Sequence, residues 1–287
     1  MSRRLRDCQV TVVGLGLMGG SLAGALRGQC RAVVGVARRA ETVAKASELG
    51  LVDWGTTDVA EGVRQAGVVV LATPVRVILD QLAEIGSLVP EGCLVVDLGS
   101  TKAQIVEEMA LLPQHVQPLG GHPMCGKESS GIGVADPALY QGCTFILSPL
   151  PRTSEEALSL GRELAEAIGA HVLVLDGERQ DFLVGTVSHL PYLLACALVA
   201  TADATTSADP AAWEIVAGGY RDTSRVAGSD VTMMLDILLT NREEVLRAVG
   251  VYQDQLASLA RSLEAGDEDG LRWALSTIRQ KRKEMFP

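Results

Sequence analysis

The stretch Gln9-Val10-Thr11-Val12-Val13-Gly14-Leu15-Gly16-Leu17-Met18-Gly19-Gly20-Ser21 is a β-branched run that passes through three spaced glycines into a helical pattern. It fits G-x-G-x-x-G at the strand-to-helix junction where that motif carries a physical meaning. Gly14 permits the tight turn, Gly16 lets the backbone approach a pyrophosphate, and Gly19 lets the helix pack close to the sheet. The helix start at Leu17 and Met18 then faces the anion. A dinucleotide site is therefore expected at Gly14, Gly16, Leu17, Met18 and Gly19.

Working outward, the second β-branched run, Ala32 to Val36, ends in Ala37-Arg38-Arg39. An acid normally grips the adenosine ribose at this point when the cofactor is NAD. Two guanidiniums suit a ribose 2′-phosphate instead, so Arg38 and Arg39 make NADP the better fit and NAD the alternative. The plainer reading is a solvated basic loop, with Glu41 close by. Thr73 and Pro74, just after the run Val68 to Ala72, are assigned to the same cofactor site.

Further runs at Leu94 to Leu98, Thr144 to Leu147 and Val172 to Leu175 alternate with helical patterns. Nearly continuous Val, Leu and Ile is the mark of strands covered on both faces, hence a doubly wound, mainly parallel α/β sheet. After Asp176 the spacing turns to threes and fours with no convincing strand. The expected division is residues 1–177, dinucleotide-binding, and 178–287, all helical. Helices are expected over 178–206, 211–217, 231–239, 242–264 and 270–283. Pro191 removes a backbone donor inside the first of these, so a kink is expected near His189.

The 287 residues are 47% apolar and 21% charged, which excludes disorder. Twenty-five Lys and Arg against 35 Asp and Glu give −10, a balance that repels nucleic acid and anionic membranes. Six scattered cysteines without a C-x-x-C pair, and a basic start that runs directly into a strand, point to a reducing cytoplasm with no leader. The longest apolar stretch, Leu190 to Ala200, contains Pro191 and falls short of the ~20 residues of a membrane span. The leucine-rich helical half can bury its stripes against itself or against a second copy.

Polar clusters stand out from this apolar background. Asp97-Leu98-Gly99-Ser100-Thr101-Lys102 follows a strand at the carboxyl edge, where open α/β sheets bind ligands. Gly120-Gly121-His122-Pro123-Met124-Cys125-Gly126-Lys127-Glu128 follows a short apolar run and reads as a loop fixed by its glycines and proline. Gly218 to Arg225 and Ser188-His189-Leu190-Pro191-Tyr192 add cations and donors from the helical half. Taken singly, Ser100 could be a helix N-cap near Thr101, His189 a packed histidine beside Leu193 and Cys196, and Arg225 an interface arginine. Cys125 has no cluster of further ligands for zinc, and His115 and His171 read as surface residues.

Together these residues resemble the prephenate and arogenate dehydrogenases of tyrosine biosynthesis. The matches are Gly14 to Gly20, Asp97 to Lys102, Gly120 to Gly126, Ser188 to Pro191 and Tyr220 to Arg225, in the family's order. The resemblance implies a Rossmann-type domain followed by a helical dimerisation domain, hence a homodimer, and an oxidative decarboxylation with hydride transfer to NAD(P). It implies that His122 accepts the proton of the substrate's ring hydroxyl, that Ser100 holds histidine and hydroxyl in line, that Arg225 binds a substrate carboxylate and that His189 lines the site. A neutral imidazole suits that task near neutral pH.

Two positions depart from the family pattern: Lys127 stands where threonine is common, and Tyr192 where many members carry a second histidine. Lys127 and Arg221 would disfavour the ammonium of arogenate and Glu128 would favour it, so the signs conflict and the substrate stays open, with prephenate the first choice by a modest margin. With a strand by residue 9 and the last helix ending at Lys283, a single activity is expected. The β-hydroxyacid dehydrogenases share the architecture but use a lysine in the helical half, and none of the five lysines lies between residues 128 and 280. A non-catalytic dinucleotide-binding protein would need only the glycine loop.

Overall fold

The computed structural model describes residues 3–127, 129–209 and 211–286. Eight strands form one sheet in the order β3-β2-β1-β4-β5-β6-β7-β8. They are β1 (Gln9–Val13), β2 (Ala32–Val36), β3 (Trp54–Thr56), β4 (Ala66–Leu71), β5 (Leu94–Asp97), β6 (Gln117–Pro123), β7 (Thr144–Pro149) and β8 (His171–Val174). From β3 to β6 every pairing is parallel; β7 runs antiparallel to β6, and β8 is parallel to β7. The strand order reverses between β1 and β4, the crevice where such sheets take a dinucleotide.

The sheet is buried on both faces, as the unbroken apolar runs require. Val68 and Val70 of β4 enter one core with Leu22 and Leu164, while Val69 and Leu71 enter the other with Ile78 and Met109. The first core is covered by α1 (Leu17–Ala25), α2 (Ala40–Glu48) and, further along the chain, the helix Glu155–Ala167; the second lies under α3 (Val59–Val63), α4 (Val75–Leu88) and α5 (Ala103–Ala110). With the helix Glu155–Ala167 as α6, strands and helices alternate through β6 and again from β7 to β8, while β6 runs to β7 without an α-helix between them.

Two strands were not expected. β3 is a three-residue edge strand whose Gly55 lies too close to Gly35 O, 3.0 Å from a built Cβ, to carry a side chain. β6 contains Pro118, Gly120 and Gly121, residues that argue against a central strand. The glycines are there because the neighbours are close: a Cβ on Gly121 would sit 2.4 Å from Asp97 O, and one on Gly120 3.0 Å from the Ser148 Cβ. His122 is thus held on a strand, not in the loop the sequence suggested.

Past β8 the described residues form helices joined by turns, with no strand. The helix over residues 177–206 comprises α7 (Gly177–Val184), a π-helical turn (Gly185–His189) and α8 (Leu190–Thr206). The expected disturbance near His189 is this widened turn, which accommodates the missing donor at Pro191. This helix is long and apolar enough to cross a membrane by length and composition. Its buried residues Gln180, Asp181, Val184, Gly185, His189 and Leu190 form one stripe of the kind a core helix presents.

Then follow α9 (Ala211–Glu214), α10 (Gly218–Ser224), a short 3-10 turn over Arg225–Gly228 that packs on α8, and α11 (Val231–Thr240). Arg76 Nε meets Asp236 Oδ1 at 3.2 Å, which fastens α4 to α11. The chain divides into two compact units, Met1–Asn241 and Arg242–Pro287. The second is a hairpin of α12 (Arg242–Glu264) and α13 (Glu268–Met285), turned at Gly266, whose φ is +64°, and with Asp267 capping α13 through Gly270 N at 3.0 Å.

Candidate active site

The glycine loop has the geometry its spacing requires. Gly14 adopts φ +102°, and a Cβ there would lie 2.8 Å from the Ala72 backbone. A Cβ on Gly19 would fall 1.9 Å from Gly14 O, so helix and turn touch. Gly16 alone has nothing within 4 Å of its Cβ position, which leaves an open approach over the N-terminus of α1. The buried Tyr140 donates its hydroxyl to Met18 O at 2.8 Å and pins the loop. These features fit a dinucleotide pyrophosphate.

At the end of β2, Arg38 and Arg39 are exposed. The acids beyond β3 are engaged: Asp58 accepts from Ala60 N at 2.9 Å, and Glu61 accepts from Thr56 Oγ1 at 2.6 Å. On the next edge Thr73 donates to Gln81 Oε1 at 2.8 Å and Pro74 begins α4.

The polar centre lies at the carboxyl ends of β5 and β6. Asp97 is fully buried; Oδ2 accepts from Gly99 N at 2.7 Å and from the equally buried Lys102 Nζ, and Oδ1 accepts from Gly121 N at 3.0 Å. Burial pushes the carboxyl up and the ammonium down, and pairing opposes both shifts. One carboxylate therefore locks the turn after β5 to the strand that carries His122. Ser100, half-buried, lies in this turn.

Ser100 is not the N-cap of α5. The N-cap is Lys102, and the capping acceptors come from Asp181 on α7, whose two carboxylate oxygens accept from Lys102 N at 2.7 Å and Ala103 N at 2.8 Å. Beside it Gln180, with no exposed surface, donates through Nε2 to Asp181 Oδ1 at 3.3 Å. Neither Gln180 nor Asp181 was singled out from the sequence, although both sit on the buried stripe of α7.

His122 is 7% exposed, and its Nδ1 is buried without a hydrogen-bond partner. Burial first, then the neighbouring Lys102 and His189, push its pKa down to about 3, and the Gln180 side chain opposes the shift. His189 is buried as well, pushed down to about 4 by burial, with Asn241 Nδ2 at 3.1 Å from its Nδ1. Both rings are neutral at pH 7, as proton acceptors must be.

The remaining candidates are more peripheral. Tyr192 is half-buried on α8; Arg221 and Arg225 are exposed on α10 and the 3-10 turn after it. Lys127 pairs with Asp136 at 2.9 Å, and Glu128 lies outside the described residues. Burial, and then the neighbouring Cys143, raise the Cys125 thiol to about 12, which disfavours the thiolate. Among the described residues no three His, Cys, Asp or Glu side chains cluster to hold a metal.

Comparison with known proteins places these features in context. The family model described as the prephenate dehydrogenase nucleotide-binding domain matches residues 22–174, and that described as the prephenate dehydrogenase dimerization domain matches residues 176–277. A prephenate dehydrogenase of Bacillus subtilis is 31% identical over 268 residues, covering 91% of this chain and 72% of the relative. A crystal structure of prephenate dehydrogenase from A. aeolicus in complex with hydroxyphenyl propionate and NAD+ superposes with a TM-score of 0.89 at 32% identity, covering 99% of each chain. A Synechocystis arogenate dehydrogenase follows with a TM-score of 0.85 at 29% identity, covering 96% of this chain and 99% of that one.

Proposed function

The chain belongs to the prephenate dehydrogenase family, and from that premise we propose that it oxidatively decarboxylates prephenate to 4-hydroxyphenylpyruvate with NADP as the preferred acceptor. The observation that carries this reading is a neutral, buried His122 on β6, one strand from the Ser100 turn and on the same sheet edge as the glycine loop.

In this mechanism the dinucleotide, when bound, accepts hydride from the ring carbon that bears the hydroxyl. Its pyrophosphate would be held by the backbone at Gly14, Gly16, Leu17, Met18 and Gly19, with Thr73 and Pro74 bordering it. Arg38 and Arg39 at the end of β2 suit the 2′-phosphate of NADP, and the engagement of Asp58 and Glu61 elsewhere supports that preference over NAD. His122 takes the hydroxyl proton as hydride departs, and Ser100 holds the hydroxyl toward the ring. The carbon–carbon bond to the ring carboxylate then breaks and CO2 leaves; its electrons complete the aromatic ring and pass to the carbonyl oxygen, which takes the proton back from His122. Burial keeps water from competing for the proton.

Arg225 grips the side-chain carboxylate. A strong clamp on the carboxylate that departs as uncharged CO2 would stabilise the ground state over the transition state. His189, with Nδ1 engaged, presents Nε2–H as a donor inside the site, and Tyr192 borders it from the first turn of α8. Lys127 and Arg221 are cations facing an anionic substrate, which favours prephenate over the ammonium-bearing arogenate.

The functional division falls at residues 177 and 178, with the helical part forming a homodimer. Exposed apolar residues on α12 and α13, among them Leu256, Leu263, Trp273 and Ile278, support such an interface. Six free thiols suit a reducing cytoplasm. The test is a four-way assay of prephenate or arogenate with NAD or NADP. Turnover of prephenate with NADP is expected; turnover of arogenate alone would replace the substrate assignment.

A further inference from the structure

One face of α11, with the residue that closes it, addresses three segments that carry the site. Asp236 Oδ1 pairs with Arg76 Nε at the start of α4 at 3.2 Å, and Asn241 Nδ2 reaches His189 Nδ1 at 3.1 Å. Between them Thr240 Oγ1 lies 2.8 Å from Thr101 Oγ1, in the turn after β5. The donor in this contact can be assigned, because a hydroxyl has one proton to give. Thr240 gives its own to Asp236 O at 2.8 Å, one helical turn back, so Thr101 donates and Thr240 accepts. Thr101 has no exposed surface, which shields its bond from water. The turn around it is anchored on both sides: Gly99 N donates to Asp97 Oδ2 at 2.7 Å, and Lys102 N donates to Asp181 Oδ1 at 2.7 Å. Between these anchored amides the chain runs through Ser100 and Thr101, and the Thr101 side chain ties that span to α11.

We propose that Thr240 is a positioning residue for Ser100: its Oγ1 accepts from the Thr101 hydroxyl and so fixes the place of Ser100 relative to the strand that carries His122. The proposal rests on the reading of Ser100 as the residue that holds the substrate hydroxyl toward the ring. Asp97 sets Gly99 against Gly121 of β6 through its two oxygens, so one end of the Ser100 span is referred to the His122 strand. Asp181 and Thr240, both from the helical part, fix the other end. A hydroxyl on α11 thereby acts on the proton transfer through Ser100. Proton transfer needs heavy atoms within about 2.6–3.2 Å of each other, so a small displacement of Ser100 slows the reaction more than it weakens binding.

The experiment measures kcat, the KM for prephenate and dinucleotide affinity in variants that lose this one bond. Thr101→Val and Thr240→Val each keep the branched shape and remove a hydroxyl. Either should lower kcat by about three- to tenfold, with dinucleotide affinity and prephenate KM near those of the wild type. Thr240→Ser, which keeps the acceptor, should retain most of kcat. Because both partners serve one bond, the double valine variant should lose no more than the worse single one. In a Ser100→Ala background, adding Thr240→Val should leave kcat where it was. Wild-type kcat in both valine variants contradicts the proposal. So does an equal fold loss from Thr240→Val with and without Ser100, which would make the pair a structural contact only. If Ser100→Ala turns over at the wild-type rate, the Ser100 reading itself fails and this inference falls with it. A slowed Ser100→Ala beside unaffected valine variants rejects the inference alone.

Discussion

Asn241 Nδ2 and His189 Nδ1 lie 3.1 Å apart in a buried setting, and the same amide nitrogen donates to Asp181 O at 2.8 Å. An amide nitrogen can only donate, so Nδ1 of His189 must accept and the ring carries its proton on Nε2. The residue that closes α11 thereby sets the tautomer of a histidine on the π-helical turn.

Replacing Asn241 by Leu removes both donations and leaves Nδ1 of His189 unsatisfied, while Asp181 O keeps its bond from Gly185 N. The cost is expected to be about 1–3 kcal/mol, read as a lower urea midpoint with an unchanged slope. A midpoint equal to the wild type would show that the pair does not hold the helices.

His189 also makes stability depend on pH. Its folded pKa, about 4, lies below the ordinary value of 6.5, so in that window the unfolded chain binds a proton the folded one does not. Stability is complete above pH 6.5 and is lost as pH falls toward 4; at pH 5 the loss is about 2 kcal/mol for this residue. His122 adds to the loss in the same direction, down to about pH 3. Urea unfolding at pH 7.5 and pH 5 should show the decline, and His189→Asn should remove its own share; a parallel decline in that variant would exclude His189 as a source.

Much of this was legible in the sequence, and what was not has physical causes. The glycine spacing between β1 and α1 pointed to the sheet class: Gly14 and Gly19 answer backbone approaches that no side chain tolerates, and Gly16 leaves the way to the helix N-terminus open. The run Gln117 to Pro123 hid a strand, because Pro118, Gly120 and Gly121 are poor strand formers in isolation; close packing against Ser148 and Asp97 demands the two glycines. Ser100 and His122 could be picked out by cluster and resemblance. The groups that hold the site could not, since Asp181 caps a helix 78 residues away in sequence and Asn241 reaches His189 from 52 residues on. A trace existed nonetheless: Gln180 and Asp181 fall at helical spacing with Gly177, Val184 and Gly185, which places two polar residues on an apolar stripe.

The cofactor preference can be read at one position. Arg38→Asp removes a phosphate partner and adds repulsion, and it should shift the ratio of kcat/KM values from NADP toward NAD by about 10- to 100-fold. The measurement is the ratio for both dinucleotides at saturating prephenate. An unchanged ratio would show that Arg38 does not read the phosphate.

The central claim, that His122 receives the substrate proton, is tested most directly by His122→Asn, assayed for dinucleotide binding by fluorescence titration and for turnover of prephenate. Dinucleotide affinity should match the wild type while kcat falls by about 10²-fold or more. Turnover at the wild-type rate with binding intact would contradict the account.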